Sequence, residues 1–492
     1  MIFERLKYRH ELFFYGFLCI YAALGLYNLE TLPVAWTDET MNLDPAIQYT
    51  KFHQYFSRLW PNPGAESIFA SYPPLIQFWH ILWLKFFPAT IFSIRLPFLL
   101  MHLSTLTLLY KLFKKSNLNL NIGILFIIIF AFDKSVFELS RSVRIEVVIM
   151  FLITLYFYLK SINAKQIYLG FIAGLIAIAH LYTFPIFIVI FAKHLYQNSL
   201  KKSILYIIAA MIPGLFSLYF IDFNIQQLIS QLTVQTSKHT PQSHSFLSYL
   251  KASFIDRFWP YYKEMPLQFV IIIGMALLNF WQMLTSIKNP KLWFSQNFSA
   301  ELFVFSFTLF FLITPQYRYL PVLFLLGILF LRDNQLIKNI TSHQISIYVL
   351  CLIALNGFAI FTARHTVAIY QRSERISEPF LSFLAKNIPQ NKKTLVLGES
   401  IGEYYAATRK NCDYGLDFHP QHFNYNDYEQ VYYLTKYKMP LGQEIGCYMP
   451  NQKEIPGFIQ KFAKGGTYYK TKLWKINSLQ DYQKITAPYL QY

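Results

Sequence analysis

Between residues 11 and 363 the chain is a succession of apolar runs, most of them close to the roughly 20 residues that an α-helix needs to cross a bilayer core. Such runs constrain the fold more than any single motif, because a backbone in lipid must satisfy its own polar groups and does so as helix. They fall near 11–30, 94–110, 120–137, 147–160, 167–179, 182–192, 203–221, 267–287, 300–314, 319–331 and 344–363. With 54% hydrophobic and 14% charged residues among 492, an ordinary soluble domain is excluded. The expected class is a mainly α, polytopic membrane bundle of about 11 spans.

Orientation is read from Lys and Arg, which collect in cytoplasmic joints near span ends. With Arg5, Lys7 and Arg9 inside, the same side gathers Lys111, Lys114, Lys115, Lys201, Lys202 and Lys338, among others. An odd number of spans then places residues 364–492 outside. The formal net charge of +18 is therefore partly topological, and what exceeds it favours anionic lipid or phosphate ligands. No basic stretch is interleaved with aromatics as a nucleic-acid surface requires, so no nucleic-acid partner is expected. The first run ends in "YAALGLYNLETLP", without a clear small-x-small cleavage site, and reads as an uncleaved helix.

Three stretches exceed a tight turn, 31–93, 222–266 and the tail from 364, and all fall outside. In the first, "SYPPLIQFWHILWLKFF" reads as an interfacial helix, with Trp79 and Trp83 on one face beside Gln77 and His80. The second is polar and either covers a cavity or forms a surface loop. In the tail, "KTLVLGES", "QVYYLTKY" and "GTYYKTKLWKI" read as strands and "IGEYYAATRK" as a helix, which gives a small α/β domain. The expected division is residues 1–365 for the membrane domain and 366–492 for an extracytoplasmic α/β domain. Cys19 and Cys351 fall in spans, while Cys412 and Cys447 fall in the tail, where an oxidising compartment favours a bridge between them.

Charge that breaks the apolar pattern marks the chemistry. "PVAWTDETM" puts Asp38 and Glu39 side by side at the mouth of the first run. One carboxylate would serve as a helix cap; two exceed that need. "ELSRSVRIE" holds Glu138, Arg141, Arg144 and Glu146. If it is helical, Glu138 pairs with Arg141 at i, i+3, and Arg144 and Glu146 point to nearly opposite faces. "TPQYRYLPV" brings Arg318 and Tyr319 to the start of a late run, either as a site or as an arginine snorkelling among belt aromatics. Carboxylates can act as general base and arginines can neutralise a phosphate leaving group, the combination that a lipid-phosphate substrate at the outer leaflet would need. His180, alone in "AIAHLYTFP", reads as an interior histidine rather than a ligand.

Together with "YPPL", "SIRLPFLL" and "GLIAIAHLYTFP", these motifs in their order resemble the GT-C glycosyltransferases of the protein O-mannosyltransferase and aminoarabinose-transferase type, from residue 11 to about 335. The resemblance implies a multi-pass enzyme of a bacterial inner membrane, with its N-terminus cytoplasmic. It would take a sugar from a polyprenyl-phosphate donor at the outer face, usually with inversion. On that pattern Asp38 is the catalytic carboxylate, Glu39 supports it, and Glu146 matches a second acidic position, usually Asp in relatives. Arg141, Arg144 and Arg318 hold donor phosphate, with Tyr319 and Tyr72 beside them. Relatives of the aminoarabinose type carry Glu-Lys where this chain has Ser71 and Tyr72, so a basic contact is missing there, with Lys85 or His53 as substitutes. No obligatory cofactor is expected, and a divalent cation at Asp38 or Glu39 is left open. The acceptor is lipid A, another envelope glycan, or Ser or Thr of an exported protein. A lipid-linked-sugar transporter or flippase, and a non-catalytic assembly partner, are the rival readings.

Overall fold

The computed structural model describes residues 2–35, 37–60, 68–72, 74–116, 119–239, 258–286, 294, 298–309, 317–333, 344–398, 402–416, 423–435, 442–450 and 470–486. Each apolar run is helical over most of its described length, and residues 287 and 310–314 lie outside the described residues. From the N-terminus come α1 (Ile2–Tyr27), α2 (Thr37–Phe52), α3 (Leu75–Leu84), α4 (Ile91–Lys114), α5 (Leu120–Ala131), α6 (Lys134–Leu139), α7 (Ile145–Ser161), α8 (Gln166–Ala179), α9 (Phe184–Gln197), α10 (Leu200–Phe220) and α11 (Ile225–His239). Four further helices, Pro266–Thr285, Ser299–Phe307, Leu320–Asp333 and Gln344–Tyr370, complete the bundle.

Among the described residues, five helices are long and apolar enough to cross a membrane: Arg9–Tyr27, Ile91–Lys114, Leu200–Phe220, Pro266–Thr285 and Ile347–Tyr370. Their outer surfaces are apolar. On α10, Leu200, Ile208, Met211 and Leu215 are each more than half exposed, an arrangement stable only against lipid or another apolar surface. The run 120–137 is two helices rather than one. The Asp133 carboxylate accepts the backbone N–H groups of Ser135 (2.9 Å) and Val136 (3.1 Å), ending α5 and starting α6.

The 31–93 segment carries α2 and α3. Gln77 and His80 of α3 are buried, while Trp79 faces outward and Trp83 stacks on Phe87 at 4.2 Å. The helix α11 covers this segment: the Gln231 side chain donates to Ile68 O (2.8 Å) and accepts from Ala70 N (2.8 Å) and Ser71 Oγ (2.9 Å). The rest of that long connection, residues 240–257, lies outside the described residues.

The tail forms a five-stranded sheet of β1 (Thr394–Gly398), β2 (Cys412–Gly415), β3 (Gln430–Thr435), β4 (Gln443–Tyr448) and β5 (Thr471–Ile476). Its order is β2-β1-β3-β5-β4, parallel through β2, β1 and β3 and antiparallel beyond. The short helix Gly402–Ala407 connects β1 to β2, as a parallel pair requires. This topology overturns the expected disulfide. Cys412 starts β2 and Cys447 lies in β4, at opposite edges of the sheet, and both thiols are unbridged. Four strand spacings amount to about 19 Å, far beyond the span of a disulfide.

Candidate active site

The segment between α6 and α7 is not a continuous helix, and this decides the geometry of its charges. Arg144 is extended (φ −132°, ψ 133°) and caps α7, so Glu146 follows it in the first helical turn. Instead of pointing to opposite faces, the two side chains meet as a fork. Arg144 Nε donates to Glu146 Oε2 at 3.0 Å, and Nη2 to Oε1 at 2.6 Å. The pairing of Glu138 with Arg141 is likewise corrected. Glu138 pairs with Arg364, and Arg141 Nη1 lies 2.7 Å from His365 Nε2, because α6 ends at Leu139, short of Arg141.

The remaining Arg144 nitrogen, Nη1, reaches Asp38 Oδ2 at 2.9 Å, and Arg318 donates to that same oxygen. Asp38 lies in the first turn of α2, where the helix dipole favours a carboxylate. The knots early, middle and late in the chain thus converge on one carboxylate. Two carboxylates and two guanidiniums offset one another: Glu146 is fully buried and Arg144 8% exposed, while Asp38 at 36% and Arg318 at 23% face solvent. That exposure makes Asp38 and Arg318 the members that a ligand can reach.

Rings wall this cluster. Tyr319 and Tyr182 meet edge to face at 4.7 Å, and His180 packs against Tyr182 (4.5 Å), Tyr72 (5.5 Å) and Tyr319 (5.8 Å). Trp60 adds a further ring 4.9 Å from Tyr72. Burial pushes the Tyr72 phenol well above its ordinary range, helped by Tyr182 and opposed by Arg144, so it stays a neutral donor. His180 ends α8 in an extended conformation and accepts the Tyr182 N–H on Nδ1 at 3.3 Å, which sets the chain reversal that places Tyr182.

Glu39 turns the other way. It is fully buried and clamped by Arg95 of α4, whose Nε and Nη2 lie 2.8–3.1 Å from its two oxygens. Arg95 Nη1 also donates to the carbonyls of Leu29 (2.9 Å) and Pro33 (2.6 Å), tying the α1–α2 connection to α4. Arg141 is fully buried between the Phe137 and Phe361 rings, with Nε and Nη2 making no hydrogen bond. Lys85 is exposed at the end of α3 and His53 at the far end of α2 (φ 57°), and neither contacts Asp38. Among the described residues, no three His, Cys, Asp or Glu side chains gather into a metal site.

Sequence reasoning missed Arg95, Tyr182 and Trp60. Arg95 had a signal, since an arginine inside "SIRLPFLL" requires a buried partner. Trp60 had none, because its Nε1 is placed by a contact to Met41 O at 2.7 Å that only the folded loop creates.

No protein-family model and no curated protein matches the sequence. Among solved structures, the chain is similar to ArnT from Cupriavidus metallidurans bound to undecaprenyl phosphate, with a TM-score of 0.54 and 8% identity over 95% of this chain and 98% of that one. It is also similar to the apo state of that protein, at a TM-score of 0.51 and 8% identity over 94% and 98%. At that identity the likeness establishes architecture alone: the chain shares the fold of that ArnT, membrane helices with a small C-terminal sheet domain.

Proposed function

We propose that this protein is an integral-membrane glycosyltransferase of a bacterial inner membrane, moving a sugar from a polyprenyl-phosphate donor to an envelope acceptor such as lipid A or another glycoconjugate at the outer face. The observation that carries the reading is Asp38, the solvent-accessible carboxylate of the cluster, shared by Arg144 and Arg318. A fold in common with a protein solved with undecaprenyl phosphate supports the class of donor.

In this reading the donor phosphate draws the Arg318 and Arg144 guanidiniums, which bind phosphate oxygens as readily as a carboxylate. Asp38 is thereby released to accept the acceptor hydroxyl proton. The hydroxyl oxygen bonds to the anomeric carbon as the carbon–oxygen bond to phosphate breaks, and that electron pair leaves on polyprenyl phosphate. A single displacement of this kind inverts the anomeric carbon. Glu146 is buried behind Arg144, and its fork fixes the orientation of that guanidinium. Charge stabilisation of a leaving phosphate by fixed guanidiniums supplies most of the rate in such a step.

The test uses purified protein with a polyprenyl-phosphate-sugar pool and envelope extract, followed by mass spectrometry. A glycosyltransferase releases free polyprenyl phosphate and leaves one extract component heavier by one sugar. A transporter releases none.

A further inference from the structure

The helix that carries Asp38 also carries the contacts that hold the sheet domain. Lys51, in the last turn of α2, donates to Ala406 O (2.6 Å) and Cys412 O (3.0 Å), the end of the Gly402–Ala407 helix and the start of β2. Just beyond α2, Arg58 forms an ion pair with Asp413 of β2, which also accepts from the Tyr428 hydroxyl at 2.9 Å. The Arg58 guanidinium lies over Phe52 (5.5 Å) at the end of α2, Phe56 (5.5 Å) of the following loop and Phe423 (5.8 Å) of the domain.

The path back to the site is short. Arg58 N donates to Asp44 Oδ2 at 2.8 Å, and the same buried carboxylate accepts from Ser57 Oγ (2.5 Å), Leu59 N (3.1 Å) and, on Oδ1, Gln48 Nε2 (2.7 Å). Asp44 lies less than two turns from Asp38, beside Pro45, which removes one rung of the helix ladder and weakens α2 where it would bend. At the other end of this segment, Ser377 binds Glu30 (backbone N to Oε1, 2.9 Å) and Arg375 binds Thr31 O (3.3 Å), so the connection into α2 is also held by the chain leading to the sheet.

We propose that the sheet domain is a positioning element for Asp38, with Arg58 and Lys51 as positioning residues that fix α2 across Pro45 so that Asp38 stays in register with Arg144 and Arg318. The inference rests on the role given to Asp38 above. Undocking the domain lets α2 bend at Pro45, and the carboxylate then leaves the geometry that transfer needs, although neither Arg58 nor Lys51 reaches substrate.

The experiment uses the full chain with Arg58→Ala, Asp413→Ala and the exchanged pair Arg58→Asp with Asp413→Arg. Hydrogen exchange across residues 37–52 is expected to quicken at least about fivefold in each single variant and to return toward wild type in the exchanged pair. Sugar transfer is expected to fall about tenfold in kcat with the donor KM within about twofold, since misplacement costs rate rather than binding. Unchanged protection of α2 in both single variants overturns the proposal, as does an exchanged pair that restores neither protection nor kcat. If a single variant loses protection across β1 and β3, the exchanged pair decides. Absence of transfer by wild type overturns the proposed function and leaves the α2 protection result to judge the docking.

Discussion

At the residue scale, adjacent Asp38 and Glu39 have opposite fates because successive helical side chains point about 100° apart. Glu39 is spent on Arg95 in a fully buried pair, and Asp38 is shared at the solvent edge. Arg95→Leu strands a buried carboxylate and is expected to destabilise the fold by about 3–5 kcal/mol, read as a lower unfolding temperature in detergent. Asp38→Asn is expected to shift it by less than about 1 kcal/mol. Glu403 offers a pH test. Its carboxyl is buried, with one oxygen making no hydrogen bond, and it faces Asp44 and Lys51 of α2, Arg58 of the following loop and Asp413 of β2. Burial, then Asp44, raises it well above the ordinary glutamate value. The folded protein then holds a proton that the unfolded chain gives up, so stability falls as pH rises above about 4.3, the ordinary value. Glu403→Gln is expected to flatten that decline in the unfolding temperature.

At the scale of elements, α8 and α10 pack backbone to backbone at two glycines. A Cβ on Gly170 would lie 2.2 Å from Tyr206 O, and one on Gly174 2.3 Å from Ala210 O, so "GFIAG" works as a small-residue stripe. Gly174→Leu is expected to cost about 1–3 kcal/mol, measured by thermal unfolding in detergent. The apolar helices were legible because apolar length alone reports them, whereas α2 and α11 were not, being polar and lying in the long outer stretches; β1, β3 and β5 were legible as mostly buried runs rich in β-branched and aromatic residues. Two strands were not. β2 is only "CDYG", and β4 is interrupted by an irregularity between Glu444 and Gly446. The charged knots were legible as residues but not as pairs. Arg144 meets Glu146 only because Ser142 and Val143 hold the chain out of helix, and Arg141 meets His365 only because Gln344–Tyr370 packs on α6.

For the whole molecule, α1 and α4 place their basic ends far from Asp38. Arg9 lies some 18 residues before Tyr27, about 27 Å along the helix, close to the thickness of a bilayer core. The charged cluster around Asp38 and the sheet domain therefore share one end of the bundle, which on the proposed function is where a long-chain donor with its phosphate at the interface would meet the acceptor. The central claim is that Asp38 performs chemistry there and does not merely bind. Its direct test is a single-turnover reaction of wild type and Asp38→Asn with radiolabelled polyprenyl-phosphate sugar, measuring donor bound and polyprenyl phosphate released. The account predicts that both proteins bind donor and that release by the variant is slower by about 10²–10⁴-fold. Equal release by the two proteins would contradict it.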